Sequence, residues 1–410
     1  MSFQQGLSGL NAASKSLEVI GNNVSNANTV GFKQSQTHFA DVYANSLSGG
    51  GASQTGIGTK VSKVQQQFSQ GNITSSNNSL DIAINGGGFF RMSNNGSVTY
   101  SRNGQFQLDK TGHVMNAEGK RLTGYGVNAQ GQLSTGSPVE LSINTSDLAP
   151  AATQSVVGLM NLDAGDAALT PASFNPADPT TYSHSTSVSV FDSLGNSHTL
   201  QAFFLKTAAG QWYVYTTVDS TPTAYTPPAA PVATAQFTFS GTGVQPTVTP
   251  AAPTVNFTPA GATAVSIALD FSGATQFGSA FSVSSLSQDG YTSGRLSSFD
   301  FSADGTIFGR YTNGQSSTLG QVVLASFANP NGLMSLGNNA WAETADSGAV
   351  LVGTPGTGTL GVLQSSAVED SNVDLTAELV NMITAQRYYQ ANAQTIKTQD
   401  QVLQTLVNLR

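Results

Sequence analysis

The four histidines are the side chains of this 410-residue chain best suited to binding a metal ion or moving a proton near neutral pH. Zinc sites in proteins combine several ligands at short, regular spacings. Here each histidine stands in a polar segment without a partner at such a spacing, and the chain contains no cysteine. We therefore expect surface or turn histidines, no disulfide and no metal site. The four are His38, His113, His184 and His198.

A glycine-rich segment near the C-terminus matches the pattern G-x-G-x-x-G of dinucleotide-binding loops. The segment Gly356-Thr357-Gly358-Thr359-Leu360-Gly361 follows the apolar run 349–352. A dinucleotide site needs a helix that begins at these glycines, within a βαβ unit. Residues 361–365 give no such helix, so the pattern favours a β-turn over a cofactor site.

Two acidic segments resemble binding loops only superficially. Residues 300–305 have the wrong acidic spacing for a calcium loop and lack the closing glutamate. They read as a strand that enters an Asp-Gly turn, and residues 192–196 as another turn. The sequence shows no Ser-His-Asp set, no P-loop and no paired carboxylates, so we predict neither enzymatic activity nor a cofactor.

Composition narrows the classes of partner. The net charge is −8, only 9% of residues are charged, and no basic run is present, which argues against nucleic acid. No apolar stretch approaches the roughly 18 residues of a membrane span, so we expect no membrane insertion. The first residues lack a basic region followed by an apolar run. We expect a protein that is either cytoplasmic or exported without a cleaved signal peptide.

Apolar residues at alternating spacings of three and four predict a helix at the N-terminus. Ser14 and Gly21 interrupt the pattern, and the asparagine-rich run 22–28 should end the helix because asparagine favours turns. The apolar positions are Phe3, Leu7, Leu10, Leu17 and Val24.

The C-terminus carries the stronger helical signal. Ser371-Asn372-Val373-Asp374 predicts a capping box, and neither glycine nor proline occurs between Asp374 and Arg410. A helix of that extent would be about 54 Å long. Gln386 and Asp400 interrupt an otherwise constant heptad register. Its positions are Leu375, Leu379, Met382, Tyr389, Ala393, Ile396, Leu403 and Val407.

Neither terminal helix can bury its apolar stripe alone. We expect the two ends to pair with each other or with other copies of the chain. The alternative is two ordinary amphipathic helices on a globular body.

Short β-prone runs separated by turn signals fill the rest of the chain and predict antiparallel hairpins. The predicted fold class is α+β, mainly β, with terminal helices forming a coiled-coil domain and two nested antiparallel β-domains. The helical domain comprises 1–30 plus 371–410, and a linking region comprises 31–75 plus 364–370. The first β-domain comprises 76–148 plus 289–363, and the outer β-domain is the insertion 149–288.

Several segments, in order and at both ends of the chain, resemble the bacterial flagellar rod and hook family, and in particular its hook branch. They cover roughly the first 125 and the last 120 residues. The segments are 8–12, 22–33, 80–90, 100–106, 327–333, 371–375 and 386–392.

This resemblance implies a structural subunit that self-assembles into a curved tube, a flexible joint that transmits torque and encloses an export channel. It implies an extracellular location, export through the flagellar type III apparatus, and contacts with a distal rod protein, a hook cap protein and a hook-filament junction protein. Phe39 and Tyr43 resemble an export motif, although a partly buried aromatic pair is an equal alternative. The alternative functions are a distal rod subunit, or a secreted β-rich adhesin.

Overall fold

The computed structural model describes residues 2–42, 56–128, 131–223 and 231–408. In these ranges the chain begins and ends with a long helix, and the short strands between the two helices form several sheets. The predicted fold class, α+β and mainly β with terminal helices, is confirmed.

The two helices are α1, Ser2–Ser25, and α2, Leu375–Asn408, and they pack against each other. The asparagine-rich run ends α1 as predicted, and the Asn26 side chain donates to the carbonyl of Asn22. With 34 residues, α2 is about 51 Å long. Neither helix, as far as the structure describes them, is long and apolar enough to cross a lipid bilayer.

The predicted capping box at the start of α2 is wrong. Asp374 is the cap: its Oδ1 accepts from the amides of Thr376 and Ala377, at 2.9 and 3.1 Å. The Ser371 hydroxyl accepts instead from the amide of Val373, two residues on. The preceding residues cannot enter the helix because they are extended against another segment, where the Asp370 amide donates to the Asn72 carbonyl.

The chain divides into two compact units. The first consists of Met1–Thr145, Ser298–Arg310 and Ser316–Arg410, and the second of Ser146–Ser297 and Tyr311–Gln315.

Strands occur in three groups along the chain. The first group contains β1 Ser35–Val42, β2 Gly58–Gln66, β3 Ile73–Ser75, β4 Ile82–Asn85, β5 Phe89–Asn94, β6 Ser97–Ser101, β7 Gln107–Leu108, β8 Val114–Met115, β9 Arg121–Tyr125 and β10 Val139–Glu140. The second contains β11 Ser155–Asp163, β12 His184–Phe191, β13 Ser197–Ala208, β14 Gln211–Val218, β15 Thr221–Pro222, β16 Ala235–Thr238, β17 Thr247–Thr249, β18 Thr254–Phe257, β19 Val265–Asp270, β20 Thr275–Phe277 and β21 Ser282–Gln288. The third contains β22 Leu296–Phe301, β23 Thr306–Tyr311, β24 Ser316–Val322, β25 Leu324–Ser326, β26 Met334–Gly337, β27 Ala340–Ala342, β28 Leu351–Gly353, β29 Val362–Ser365 and β30 Ala367–Glu369. Single 3-10 turns occupy Pro171–Ser173, Pro179–Thr181, Pro330–Gly332 and Ala345–Ser347.

The first and third groups interleave within the first unit. Its main sheet runs in the order β22-β23-β24-β9-β5-β6-β27-β26, so distant stretches of chain meet as neighbouring strands. Smaller antiparallel pairs are β1 with β2, β3 with β30 and β4 with β29. Aromatic rings packed edge to face around Phe89 and Trp341 fill part of the core.

The second unit contains a five-stranded and a six-stranded sheet that share one apolar core, with Phe204 and Trp212 fully buried. Antiparallel hairpins dominate, as in β12-β13-β14. The expectation of hairpins alone is wrong at β11, which pairs in parallel with β19 and with β20. Long stretches of chain separate these partners, so no tight turn forces them to run antiparallel.

The predicted turns form at the three segments considered for binding. The Gly356 amide donates to the Gly361 carbonyl between β28 and β29. The Asp192 amide donates to the Asn196 carbonyl between β12 and β13, and Gly305, with φ of 83°, turns the chain between β22 and β23.

Candidate self-assembly surface

The seam between α1 and α2 is built from small residues of α1. A Cβ atom added at Gly6 would lie 3.1 Å from Ile396 Cγ1, and one added at Gly9 would lie 2.6 Å from Asn392 Oδ1. The absence of side chains at these two glycines therefore lets the helices approach closely. Further along α1, Ala13 and Ile20 are buried.

The apolar residues predicted to pair the helices lie largely outside this seam. Of the eleven, Ile396 contacts α1, whereas Leu10, Leu17 and Met382 are half-buried. The others are exposed, up to 73% at Val407. We call the α2 residues of this set, apart from Ile396, the outer stripe. The exposed residues are Phe3, Leu7, Leu375, Leu379, Tyr389, Leu403 and Val407.

The heptad pattern missed four more exposed apolar side chains of α2. Three of them lie about 100° around the helix from the adjacent position of the outer stripe, whereas Ile383, four residues after Leu379, lies beside the stripe. As a result, α2 presents apolar side chains on several faces, whereas α1 covers one. The four are Val380, Ile383, Tyr388 and Val402.

A cleft of about 660 Å³ lies where α1, α2 and the β1-β2 hairpin meet. Its lining includes Ile20 from α1, Thr37 from β1 and Glu378 from α2. Glu378 is 3% exposed, and its Oε1 accepts from the side-chain amide of Gln34. Among the described residues, Glu378 Oε2 and the Thr37 hydroxyl have no hydrogen-bond partner. Both atoms are buried, so neither is exposed to the open space of the cleft.

A buried ionic cluster joins the helical ends to the β-strands of the first unit. Glu369, at the end of β30, accepts from Lys33 Nζ at 2.7 Å, from Arg102 Nη1 at 2.9 Å and from the amide of Gly71 at 2.9 Å. Burial lowers the pKa of Lys33 and of Arg102, although the Glu369 carboxylate acts in the opposite direction on both. Burying three charges is costly unless all are paired, as they are here.

Two asparagine side chains strengthen the same connection. The amide of Asn23, near the end of α1, donates to the Ser35 carbonyl and accepts from the Ser35 amide. Asn372, just before α2, accepts from the amide of Gln34 and donates to the carbonyl of Gln67. These contacts hold the segments at the helix ends against the linking strands, and they give Asn23 and Asn372 a structural role.

The histidines lie on strands or beside turns, and the expectation of surface or turn positions holds only in part. His198 lies on β13 with 16% of its side chain exposed, and its Nδ1 contacts Asp219 at 2.6 Å while its Nε2 contacts Asp192 at 3.4 Å. The Asp219 hydrogen bond raises the pKa of His198 against the effect of burial, and Asp192 raises it further. His184 on β12 stacks on Phe281. The described residues contain no cluster of three groups able to hold a metal ion.

One of the two residues of the possible export motif lies within the described part of the chain. Phe39 lies on β1 and is exposed, although it also borders the cleft. Tyr43 falls outside the described residues. The role of this pair in export stays a prediction.

Four family models match successive parts of the chain. In chain order they are flagella basal body rod protein over residues 3–33, flagellar hook protein FlgE/F/G D1 domain over 83–157, flagellar basal body protein FlaE D2 domain over 161–291, and flagellar basal body rod FlgEFG protein C-terminal over 364–409.

Relatives that match over the full length of the chain are named flagellar hook proteins. The flagellar hook protein FlgE of Salmonella typhimurium is 43% identical over 417 residues, and that of Escherichia coli K12 is 43% identical over 416, each covering 100% of both chains. The crystal structure of the Helicobacter pylori flagellar hook protein FlgE2 is similar in fold. Its TM-score is 0.54 and its identity 13%, over 72% of this chain and 100% of that one.

Proposed function

This chain belongs to the flagellar hook protein family and is a structural subunit of the bacterial flagellar hook, and from that premise we propose that its terminal helices drive assembly into a curved tube. The tube acts as a flexible joint that transmits motor torque to the filament and encloses the export channel. An open helical polymer of this kind forms when one face of a subunit binds a different face of the next.

The exposed apolar side chains of α2 are the observation that carries this proposal. A helix that is apolar on several faces is stable in water when those faces are covered, and contiguous exposed apolar surface marks interaction sites. A single copy of α1 covers one face of α2. Other copies of the helix pair are the partners that would cover the outer stripe, each buried leucine contributing about 1.5–3 kcal/mol.

The ionic cluster at Glu369 supports the torque-transmitting role. A force applied to the helices passes to the β-strands through Lys33 and Arg102, which bond to carbonyls on either side of the cluster: Lys33 to Ser69 and Arg102 to Gly86. A satisfied buried network of this type is rigid. We assign the bending of the tube to sliding between weakly charged outer surfaces of neighbouring copies.

The proposed layout keeps the domains predicted from the sequence. The helical domain, 1–30 plus 371–410, forms the inner wall, and the linking region, 31–75 plus 364–370, surrounds it. The β-domain 76–148 plus 289–363 and the inserted domain 149–288 follow outward. The proposed partners are a distal rod protein at the base, the hook cap and hook-filament junction proteins at the tip, and the flagellar type III export apparatus. The alternatives, a distal rod subunit and an adhesin, are not favoured, because relatives that match over the full length are hook proteins.

Removal of residues 371–410 tests the proposal. The truncated protein keeps its β-strands, seen as an unchanged β contribution to the circular dichroism spectrum, and no longer forms tubes under the electron microscope. The full-length chain, polymerised by salt under the same conditions, is the control. Normal tubes from the truncated protein would refute assembly through the terminal helices.

A further inference from the structure

Five Asn-Gly pairs occur in the chain, and this dipeptide can lose the asparagine amide spontaneously because glycine places no side chain beside its backbone nitrogen. The glycine nitrogen attacks Cγ of the asparagine, the bond from Cγ to Nδ2 breaks, and the N–H proton ends on the departing ammonia. Water then opens the cyclic imide at either carbonyl, which gives aspartate or isoaspartate without any oxidation or reduction. The pairs are Asn85-Gly86, Asn95-Gly96, Asn103-Gly104, Asn313-Gly314 and Asn331-Gly332.

Three of these glycines, Gly86, Gly314 and Gly332, hold their amide N–H in a hydrogen bond. The acceptors, in the same order, are Gln70 Oε1 and the carbonyls of Tyr311 and Asn329, at 2.9, 3.0 and 3.0 Å. Each bond must open before the glycine nitrogen can lose its proton and attack, so the fold slows the reaction at these three pairs.

The fourth glycine, Gly104, is buried against the backbone of Ile82. A Cβ atom added at Gly104 would overlap the Ile82 carbonyl oxygen, and the Gly104 carbonyl accepts from the Ile82 amide at 2.9 Å. The side-chain oxygen of Asn103 accepts from the Gln105 amide at 3.0 Å. Packing at this pair therefore opposes both the access of water and the rotation that ring closure requires.

The pair Asn95-Gly96 has none of these restraints. Both residues are exposed at the tip of the β5-β6 hairpin, where Asn94 pairs with Ser97. Neither the Asn95 side chain nor the Gly96 amide has a hydrogen-bond partner among the described residues. Apart from its chain neighbours, no heavy atom lies within 4 Å of a Cβ position at Gly96. Rotation at the tip therefore displaces no packed neighbour of this glycine.

We propose that Asn95 is a site of spontaneous deamidation in the folded protein, with isoaspartate and aspartate as products and water as the co-reactant. Either product adds a negative charge to a chain whose net charge is −8. Isoaspartate also adds a carbon atom to the backbone of a tight hairpin turn, and the length of such a turn fixes the register of its strands. This inference does not depend on the proposed function.

Peptide mapping by mass spectrometry, after long incubation of the full-length protein in mildly alkaline buffer, tests the site. The same chain in concentrated guanidinium chloride is the reference, because there the local sequence alone sets the rate at each pair. We expect Asn95 to deamidate in the native chain within about twofold of its rate in the reference. Each of the other four pairs should react roughly fivefold or more slowly than in the reference.

Two results would overturn the inference. One is a native chain in which Asn95 stays intact while the reference chain loses its amide. The other is a native chain in which another of the five pairs reacts faster than Asn95.

The products and a variant identify the route and the residue. The imide gives two chromatographically separable peptides of the same mass, with isoaspartate and with aspartate, whereas direct hydrolysis of the side-chain amide gives the aspartate peptide alone. Asn95→Gln keeps Asn94 in the same peptide and should abolish the mass gain, because the longer side chain closes a larger ring more slowly. A mass gain that persists in Asn95→Gln, or an aspartate peptide without its isoaspartate counterpart, would contradict the assignment.

Discussion

Glu369 accepts hydrogen bonds from Lys33, Arg102 and the amide of Gly71, and the three charged side chains are 5% exposed or less. Such a cluster is not by itself a source of large stability, because removing charges from water offsets most of their attraction. The cluster instead fixes the place at which the three segments that carry these charges meet. Three segments far apart in the sequence can satisfy their charges only when they meet at this one place.

Replacing Glu369 tests that interpretation. Glu369→Gln leaves Lys33 and Arg102 buried without a counter-charge, and we expect the free energy of unfolding to fall by about 3–5 kcal/mol. Glu18→Gln removes the exposed pair with Lys15 and should cost less than about 0.5 kcal/mol. Chemical denaturation of both variants measures the difference. Equal, small effects would show that the cluster does not hold the first unit together.

His198 gives the second unit a pH dependence. Its pKa is raised above 6.5 by hydrogen bonding to Asp219 and then to Asp192, so the protonated ring stabilises the fold. This contribution is complete below pH 6.5 and is lost as the pH rises through the raised value. Urea unfolding of the wild type and of His198→Gln from pH 5 to 9 measures this contribution. We expect the difference in free energy of unfolding, in favour of the wild type, to shrink as the pH rises. Asp219→Asn should reduce the stabilisation by protonated His198 at low pH. A difference that stays constant or grows as the pH rises would contradict the assignment.

At the scale of elements, the seam with α1 covers the heptad register of α2 at Ile396 and leaves most of the outer stripe uncovered. The seam uses Gly6 and Gly9 of α1 against Asn392 and Ile396 of α2. Glycine and asparagine carry no hydrophobic signal, so the heptad pattern located this contact only at Ile396. Its other positions on α2 are half-buried or exposed. The helix pair is therefore formed by close backbone approach, and the larger apolar side chains are left for other contacts.

Substitution within the outer stripe separates folding from assembly. Leu403 is 54% exposed in the single copy, so Leu403→Glu should leave the monomer's helical circular dichroism unchanged and prevent sedimentable polymer. Gln394→Glu adds the same charge at an exposed polar position of α2 and should polymerise normally. A Leu403→Glu protein that pellets like the wild type would show that this part of the stripe is not an interface.

Much of the local structure could be predicted from the sequence. The end of α1 at its asparagine run, the extent of α2 and the turns at Gly356, Asp192 and Gly305 follow from residues a few positions apart. The ionic cluster and the cleft could not be predicted in this way. Lys33 and Arg102 are separated from Glu369 by 336 and 267 positions, and no periodic pattern links them. The cap at Asp374 was missed because Ser371 offered the same local chemistry.

At the scale of the whole molecule, the chain combines a few buried charged contacts with a low overall charge content. The helices and the strands of the first unit are joined by buried ion pairs and asparagine amides, whereas only 9% of all residues are charged. Surfaces with few charges repel their copies weakly, which permits close contact between subunits. Under the proposed function, the helices form the inner wall of the tube, and weak repulsion between copies allows neighbouring subunits to slide as the tube bends.

Cryo-electron microscopy of the salt-induced polymer tests the central claim most directly. The account predicts a tube whose inner wall consists of α1 and α2, with the outer stripe of α2, including Leu379 and Leu403, buried between copies. A tube in which β-domain contacts alone hold the copies together, with the outer stripe still exposed to solvent, would contradict it.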